Sequence, residues 1–331
     1  MSFIYAFLIL LAVITIHEFG HFIAARICDV KVYEFAIGVG PKLYKRQGDK
    51  TLFSIRALPL GGFCRFDQSD EEQSDDVEYR YSIDEVDFER ASNFKKIIIL
   101  SSGVLMNLIT AVILLILMFQ INGYPSTVVE NVIENSVAVS SGIKPGDEII
   151  KINDDRVRTA NELLSNSYYK SGEFDLTIIS DGKEIVKHIK THDGKIGIYF
   201  GVKKDFIMSI KLSFVTVKSF IKEIIKAIKN IFSNDVKNLM GVVGFVATVG
   251  NISGITLNMI MMIVVNISIS LAVFNLIPIV PLDGGHILIT LIESVIGKEL
   301  SDKVKNIITI IGISFVLYVF IRSLINDFSR F

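Results

Sequence analysis

A near-continuous apolar run over residues 2–25 is long enough to cross a bilayer, and it carries His17, Glu18 and His21 in its second half. Ionisable groups at membrane depth cost about 2.5–3.5 kcal/mol each on insertion scales, so they persist where they are paired, hydrated or bound to a metal. The run is therefore expected to be a helix with one face turned into protein. Residues four apart on a helix are separated by about 6 Å along the axis, on nearly one face. His17 and His21 can then grip one Zn²⁺ while Glu18 reaches its water as general base. Two imidazole nitrogens fall short of the three protein ligands of a hydrolytic zinc site, so a third ligand must come from elsewhere in the chain.

Composition agrees with a membrane setting. Half of the 331 residues are hydrophobic, 21% are charged and the mean hydropathy is +0.50, which reads as an integral membrane protein with soluble inserts. The formal net charge of −1, with no concentrated basic arm, argues against a nucleic-acid partner. Cys28 and Cys64 stand in no metal-binding spacing and are expected as free thiols. The first apolar run lacks a basic leader and a small-residue cleavage site, and it holds the metal motif, so it is expected to be a retained span.

Three further apolar runs, over residues 97–121, 257–277 and 307–325, bring the expected spans to four. Between the first two, the alternation in Tyr33-Glu34-Phe35-Ala36-Ile37-Gly38-Val39 and Thr51-Leu52-Phe53-Ser54-Ile55-Arg56 predicts short strands near the membrane. Residues 67–89 are strongly acidic and are expected as a solvated, mobile loop. Residues 128–201 alternate apolar and polar positions between turn signals such as Lys144-Pro145-Gly146-Asp147, which predicts a compact, mainly β domain. Residues 211–232 place Phe214, Val217, Ile221, Ile224 and Ile228 at helical spacing opposite Lys218, Lys222, Lys226 and Lys229. This is the pattern of an interfacial helix or of one packed on the soluble domain.

Arg26, Lys31, Arg90, Lys95 and Lys96 flank the first loop, whereas residues 1–7 and 122–143 contain no Lys or Arg. Both termini are thus expected outside, with the first loop and the active-site side in the cytoplasm of a multi-pass cell-membrane protein. Lys298, Lys303 and Lys305 agree. The lysines of 211–232 do not, but long domains translocate largely regardless of charge.

The third apolar run ends in Asn275-Leu276-Ile277-Pro278-Ile279-Val280-Pro281-Leu282-Asp283-Gly284-Gly285-His286. Two prolines break the helix, and irregular backbone at membrane depth is tolerated where it is buried or lines a cavity. Asp283 can supply the missing oxygen ligand there. His286 competes for that role, and Asp283 could instead cap the helix that follows.

With these motifs the chain resembles the site-2 protease family of intramembrane zinc metalloproteases. The likeness rests on His-Glu-x-x-His, on Gly38-Val39-Gly40-Pro41-Lys42 and Pro59-Leu60-Gly61-Gly62-Phe63, and on the Asn-x-x-Pro-x-x-Pro-Leu-Asp-Gly-Gly run. Gly103-Val104-Leu105-Met106-Asn107 and Gly241-Val242-Val243-Gly244 resemble two further family elements. The resemblance implies that His17, His21 and Asp283 bind one Zn²⁺, that Glu18 is the base, and that Asn275 helps hold substrate. Ser141-Gly142-Ile143-Lys144-Pro145-Gly146-Asp147-Glu148-Ile149-Ile150-Lys151-Ile152-Asn153 is similar to the core of a PDZ domain, with Asp154 where a Gly often follows. One such domain with four spans looks like the bacterial branch of regulated intramembrane proteolysis.

The expected fold is a polytopic α-helical membrane protein with four transmembrane helices, a membrane-associated β region and one inserted PDZ-like β domain. Its expected segments are a first span (1–27), a cytosolic β region with acidic loop (28–92), a second span (93–121) and an extracytoplasmic PDZ-like domain (122–203). An interfacial segment (204–254), a third span (255–290) and a fourth span with the C-terminus (291–331) follow. The expected activity is cleavage within or beside the transmembrane segment of single-span proteins, such as an anti-sigma factor or signal-peptide remnant. By resemblance these substrates arrive already trimmed by another protease. A helix hides its carbonyls, so the substrate is expected to unwind and add as a strand near residues 33–39 or 51–66. The alternative is a non-enzymatic membrane scaffold that collects partners through its PDZ-like domain. Transport through the polar residues is disfavoured, because four spans show no inverted repeat.

Overall fold

The computed structural model describes residues 2–67, 81–191, 195–232 and 256–328. In chain order the elements are helix α1 (Ser2–Ile27), strands β1 (Glu34–Gln47) and β2 (Leu52–Arg65), a 3-10 turn (Phe88–Arg90), helix α2 (Asn93–Asn122) and strand β3 (Tyr124–Val132). Then come α3 (Val137–Ser140), β4 (Glu148–Ile152), β5 (Asp155–Arg156), α4 (Ala160–Ser165), α5 (Ser167–Ser171), β6 (Glu173–Ser180), β7 (Lys183–Lys190) and β8 (Ile198–Lys203). Helices α6 (Phe206–Phe232), α7 (Leu257–Asn275), α8 (Asp283–Ile296) and α9 (Asp302–Phe328) follow. Two compact units result, residues 1–115 with 214–331, and residues 116–213.

Four helical stretches among the described residues are long and apolar enough to cross a membrane: Phe7–Ile27, Asn93–Asn122, Leu257–Asn275 and Asp302–Arg322. Helices α1 and α2 cross closely because small residues meet there. A Cβ on Gly20 would lie 2.5 Å from the Ser102 carbonyl oxygen, so the approach requires glycine, as is common where membrane helices associate through packing alone. The third apolar run does not continue as one helix. It stops at Asn275, and α8 starts afresh at Asp283 after the proline-containing turn.

Strands β1 and β2 are long but bent, and each contributes two arms. Glu34 to Ile37 runs parallel to Leu52–Ile55 and antiparallel to Arg65–Gly62, while Lys42 and Tyr44–Gln47 pair antiparallel with Arg56 and Ile55–Leu52. The outermost arm on one side is therefore 62–65. The bend in β1 depends on Gly38 (φ +85°) and Gly40 (φ +89°), in the left-handed region that only glycine enters freely. Phe22 of α1 packs against Phe35 and Phe53, with ring centroids 5.5 and 5.9 Å away, which seats the sheet on the helix.

The acidic segment differs from expectation at its C-terminal end. Residues 68–80 lie outside the described residues; Tyr81 and residues 85–88 dock, while 82–84 and 89–90 are exposed as expected. Val86 bridges to Val30, and Val86 and Phe88 pack on a core of Ala24, Ala25, Val30, Val32 and Ile99. Glu85 is buried against Lys50 and Arg26, and the Tyr81 hydroxyl donates to the Val32 carbonyl at 3.0 Å. Charge composition predicted solvation; the apolar residues between the charges decided otherwise.

The second unit is a six-stranded sheet in the order β7-β6-β4-β3-β8, with β5 on β4. Its core is aliphatic: Ile149, Ile152, Leu163, Leu176, Ile178 and Ile189 are fully buried. Short helices start at side-chain caps, Ser136 accepting from Val139 N–H and Thr159 from Glu162 N–H. Asp147 in the Lys144–Asp147 turn accepts from the Lys144 amide at 2.9 Å.

Candidate metal centre

His17 and His21 lie one turn apart on the buried face of α1, each about 5% exposed, at 4% and 6%. Their Nε2 atoms are 3.2 Å apart. Asp283 at the start of α8 brings its Oδ2 to 3.0 Å from His17 Nε2 and 3.4 Å from His21 Nε2. The Asp283 side chain makes no capping bond; the residue before α8 is Leu282. Glycines let the turn close, since a Cβ on Gly284 would lie 2.4 Å from the Leu276 carbonyl oxygen and one on Gly285 2.3 Å from Val280 N.

The hydrogen bonds behind the imidazoles decide which atoms face inward. His21 Nδ1 lies 2.7 Å from the Ile99 carbonyl, which can only accept, so this nitrogen carries the proton and Nε2 is a bare acceptor. His17 Nδ1 is 3.3 Å from the Asn107 amide, and Asn107 Oδ1 is buried without a partner. Turning that amide lets Oδ1 accept from His17 Nδ1–H, which removes the orphan and bares His17 Nε2 as well. Three lone-pair atoms then converge, and Asp283 Oδ2 is likewise buried without a hydrogen bond. Ligands of a tetrahedral ion at about 2.0–2.2 Å sit about 3.3–3.6 Å from one another. The observed separations of 3.0, 3.2 and 3.4 Å lie at or a few tenths of an ångström below the short end of that range. The donor set, two imidazoles and a carboxylate, suits zinc with a position left for water.

Glu18 stands beside this cluster, and its Oε2 accepts from the Cys64 backbone N–H at 3.1 Å. That amide belongs to the outer arm of β2, so the carboxylate and the sheet edge are neighbours. Asn275, the last residue of α7, places Nδ2 3.1 Å from His17 Nε2. Among the described residues the converging group is His17, His21 and Asp283; His286 is not part of it. The Gly241–Gly244 element lies outside the described residues.

Two glycines are as demanding as these three donors. A Cβ on Gly103 of α2 would lie 2.5 Å from His21 Nε2 and 2.8 Å from His17 Nε2. One on Gly312 of α9 would lie 1.7 Å from the Val280 carbonyl oxygen, so α9 presses on the turn that delivers Asp283. The Gly-x-x-x-Asn spacing marked Gly103 and Asn107 in the sequence. Nothing there marked Gly312, whose partner is 32 positions away in an irregular turn.

The pattern of peptidase family M50 matches residues 5–319. A Clostridium perfringens protein named "Putative zinc metalloprotease" is 30% identical over 339 aligned positions, covering 99% of this chain and 98% of that one. A Clostridium acetobutylicum protein of the same name is 30% identical, covering 95% and 93%. The zinc metalloprotease RasP of Geobacillus kaustophilus is 24% identical, covering 97% and 96%. The match across nearly the whole length, joined to a buried donor set of zinc-binding geometry, places the chain in peptidase family M50, the site-2 protease family, as a multi-pass membrane, zinc-dependent metalloendopeptidase.

Proposed function

We propose that this endopeptidase cleaves a peptide bond within or beside the transmembrane segment of single-span membrane proteins, of the anti-sigma-factor or signal-peptide-remnant type. The observation that carries this reading is the convergence of two donors on a helix of membrane-spanning length with a third from the turn that follows another, beside a sheet edge that is unpaired among the described residues. In this reading His17, His21 and Asp283 hold one zinc ion. When bound, the ion supplies Lewis acidity toward a peptide carbonyl and an attacking water. Ile99 and Asn107 fix the imidazole tautomers from behind.

Glu18 is the general base. The Cys64 amide holds one of its oxygens, which leaves the other to take a proton from water and return it to the leaving amine. The substrate adds as a strand along arm 62–65, because that arm is the outer one of the sheet among the described residues and lies beside Glu18. Main-chain bonds formed there replace those lost when the substrate helix unwinds. Asn275 steadies the substrate near the metal.

The unit of residues 116–213 serves, in the same reading, as a PDZ-like filter outside the membrane that admits substrates already trimmed by another protease. The basic residues flanking the first loop support termini outside and an active site toward the cytoplasm.

The test is cleavage of a trimmed, tagged single-span substrate by detergent-purified wild type and Glu18→Gln, with zinc measured in both. Cutting by wild type, with at least about a thousandfold loss in Glu18→Gln at equal zinc, is expected. Equal cutting by the two would remove Glu18 as base. No cutting and no bound metal in wild type would leave the scaffold reading.

A further inference from the structure

Helices α2 and α7, which hand Asn107 and Asn275 to His17, also form two walls of an apolar cavity of about 380 Å³. Its lining includes Leu108 of α2, Ile221 and Ile225 of α6, and Val273, Leu276 and Ile277 of α7 and its exit. Leu108 follows Asn107 directly, and Leu276 follows Asn275. The cavity is thus continuous in sequence, on two separate helices, with the amides that touch a metal-site imidazole. The third wall, α6, belongs to the amphipathic helix whose role the sequence left between a membrane interface and a soluble domain.

A cavity this apolar offers nothing to a polar ligand. An engineered cavity of about 150 Å³ lined by aliphatic and aromatic residues stays dry and takes benzene, so the space here admits an aromatic or branched aliphatic side chain with room to spare. Pockets that hold small ligands begin at about 300 Å³. We infer that this cavity is a specificity subsite that receives one large apolar side chain, such as Phe or Leu, from the substrate's transmembrane segment next to the cleaved bond. The inference rests on the intramembrane cleavage proposed above. A lipid acyl chain is the rival occupant. The walls favour the substrate, because the residues just before Leu108 and Leu276 address the metal centre and the lining runs on to Ile277, at the start of the turn that carries Asp283.

The test uses the full-length protein and trimmed single-span substrates that carry Ala, Leu or Phe in turn at each residue flanking the cleaved bond, mapped by mass spectrometry. Wild type should show one position at which kcat/KM for Phe exceeds that for Ala by at least about tenfold, the scale set by losing methylene groups from an apolar pocket. Val273→Phe, which fills the cavity, should lower that Phe-to-Ala ratio about tenfold. Ile225→Ala, which enlarges it from the opposite wall, should raise the ratio. Zinc content equal to wild type shows that both variants are folded, and the second variant serves if the first is not.

Ratios that stay at the wild-type value in zinc-loaded variants would overturn the subsite. Unchanged ratios with loss of a co-purified lipid from Val273→Phe would overturn it in favour of an acyl-chain site. Wild type that cuts none of the substrates would instead bring down the proposed function, and the subsite with it.

Discussion

In residues 1–115 and 214–331 the buried positions include His17, His21, Glu34, Asn107 and Ser268, whereas the centre of residues 116–213 is Ile149, Ile152, Leu176, Ile178 and Ile189. Glu34, with no exposed surface, accepts from Arg56 Nη2 at 2.8 and 2.9 Å, lies 3.1 Å from Arg65 Nη2 and binds the Ser54 hydroxyl. Arg56 and Arg65 lie over the Phe63 ring, at 4.8 and 5.1 Å from its centroid. Charged bonds of this kind have direction: each fixes one strand arm relative to another. They tie the outer arm 62–65 in the register that sets Cys64 N–H on Glu18. The aliphatic centre supplies cohesion by close packing, and the buried polar groups around it, such as Asp147 and Thr159, tie local turns and helix starts. Buried charge fixes strand register in the first region, whereas no charged pair of this kind is buried in the second among the described residues.

The comparison is broken most severely at Gly103. A side chain there displaces the imidazoles directly, and a misplacement of about 1 Å at a reacting centre costs about 10²-fold in rate. Gly103→Val should therefore lose bound zinc and at least about 10²-fold in turnover, with helical content by circular dichroism unchanged. Wild-type zinc in this variant would refute the close approach of α2 to the histidines.

Glu34→Gln comes next. It leaves two guanidinium groups beside a buried neutral amide, and removing one partner of a buried pair costs about 3–5 kcal/mol. The expected result is a matching loss of hydrogen-exchange protection across residues 52–65 and a fall in turnover, with zinc retained. If protection is lost and turnover stays, the arm does not orient Glu18, the proposed base.

Ile152→Ala sharpens the contrast from the other side. Truncating a buried Ile costs about 2–5 kcal/mol, and here the loss falls on the six-stranded unit. Its unfolding, followed by limited proteolysis, should shift while zinc content and cleavage of a pre-trimmed substrate hold. Loss of zinc would show that the two units are coupled.

Much of the unit that brings His17, His21 and Asp283 together was legible in the sequence because its signals are local. The i, i+4 histidines, the apolar runs and the proline turn before Asp283 each announce their geometry within a dozen residues. What stayed hidden depends on register across distance. Glu34 read as one position in an alternating strand, since its partners Arg56 and Arg65 reach it only once β2 has folded back on both sides of β1. Gly312 read as an ordinary residue of the last span. Residues 81–90 read as solvated because their charges are visible in the sequence while the cations that meet them, Arg26, Lys31 and Lys50, lie far upstream.

The smallest expected effect lies at that docked segment. Asp87 accepts from the Tyr33 hydroxyl at 2.8 Å and sits 3.3 Å from Lys31 Nζ. The hydroxyl bond first, and the ammonium with it, hold its carboxyl below the usual carboxylate range despite some desolvation. A carboxylate with a depressed folded pKa contributes stability above its unfolded value of about 3.9, and the contribution is lost as pH falls through the lower folded value. Asp87 is about a third exposed (36%), so the pair is worth under about 1 kcal/mol and is screened by salt. Asn at this position keeps an acceptor for Tyr33 and removes only the charge. Asp87→Asn should thus lower the melting temperature slightly at pH 7 in low salt, and the gap should close as pH falls through the depressed folded value and in high salt. A gap that persists at low pH would mean that the segment is held by Val86 and Phe88 and by the shape of the Tyr33 contact, with no contribution from the ion pair.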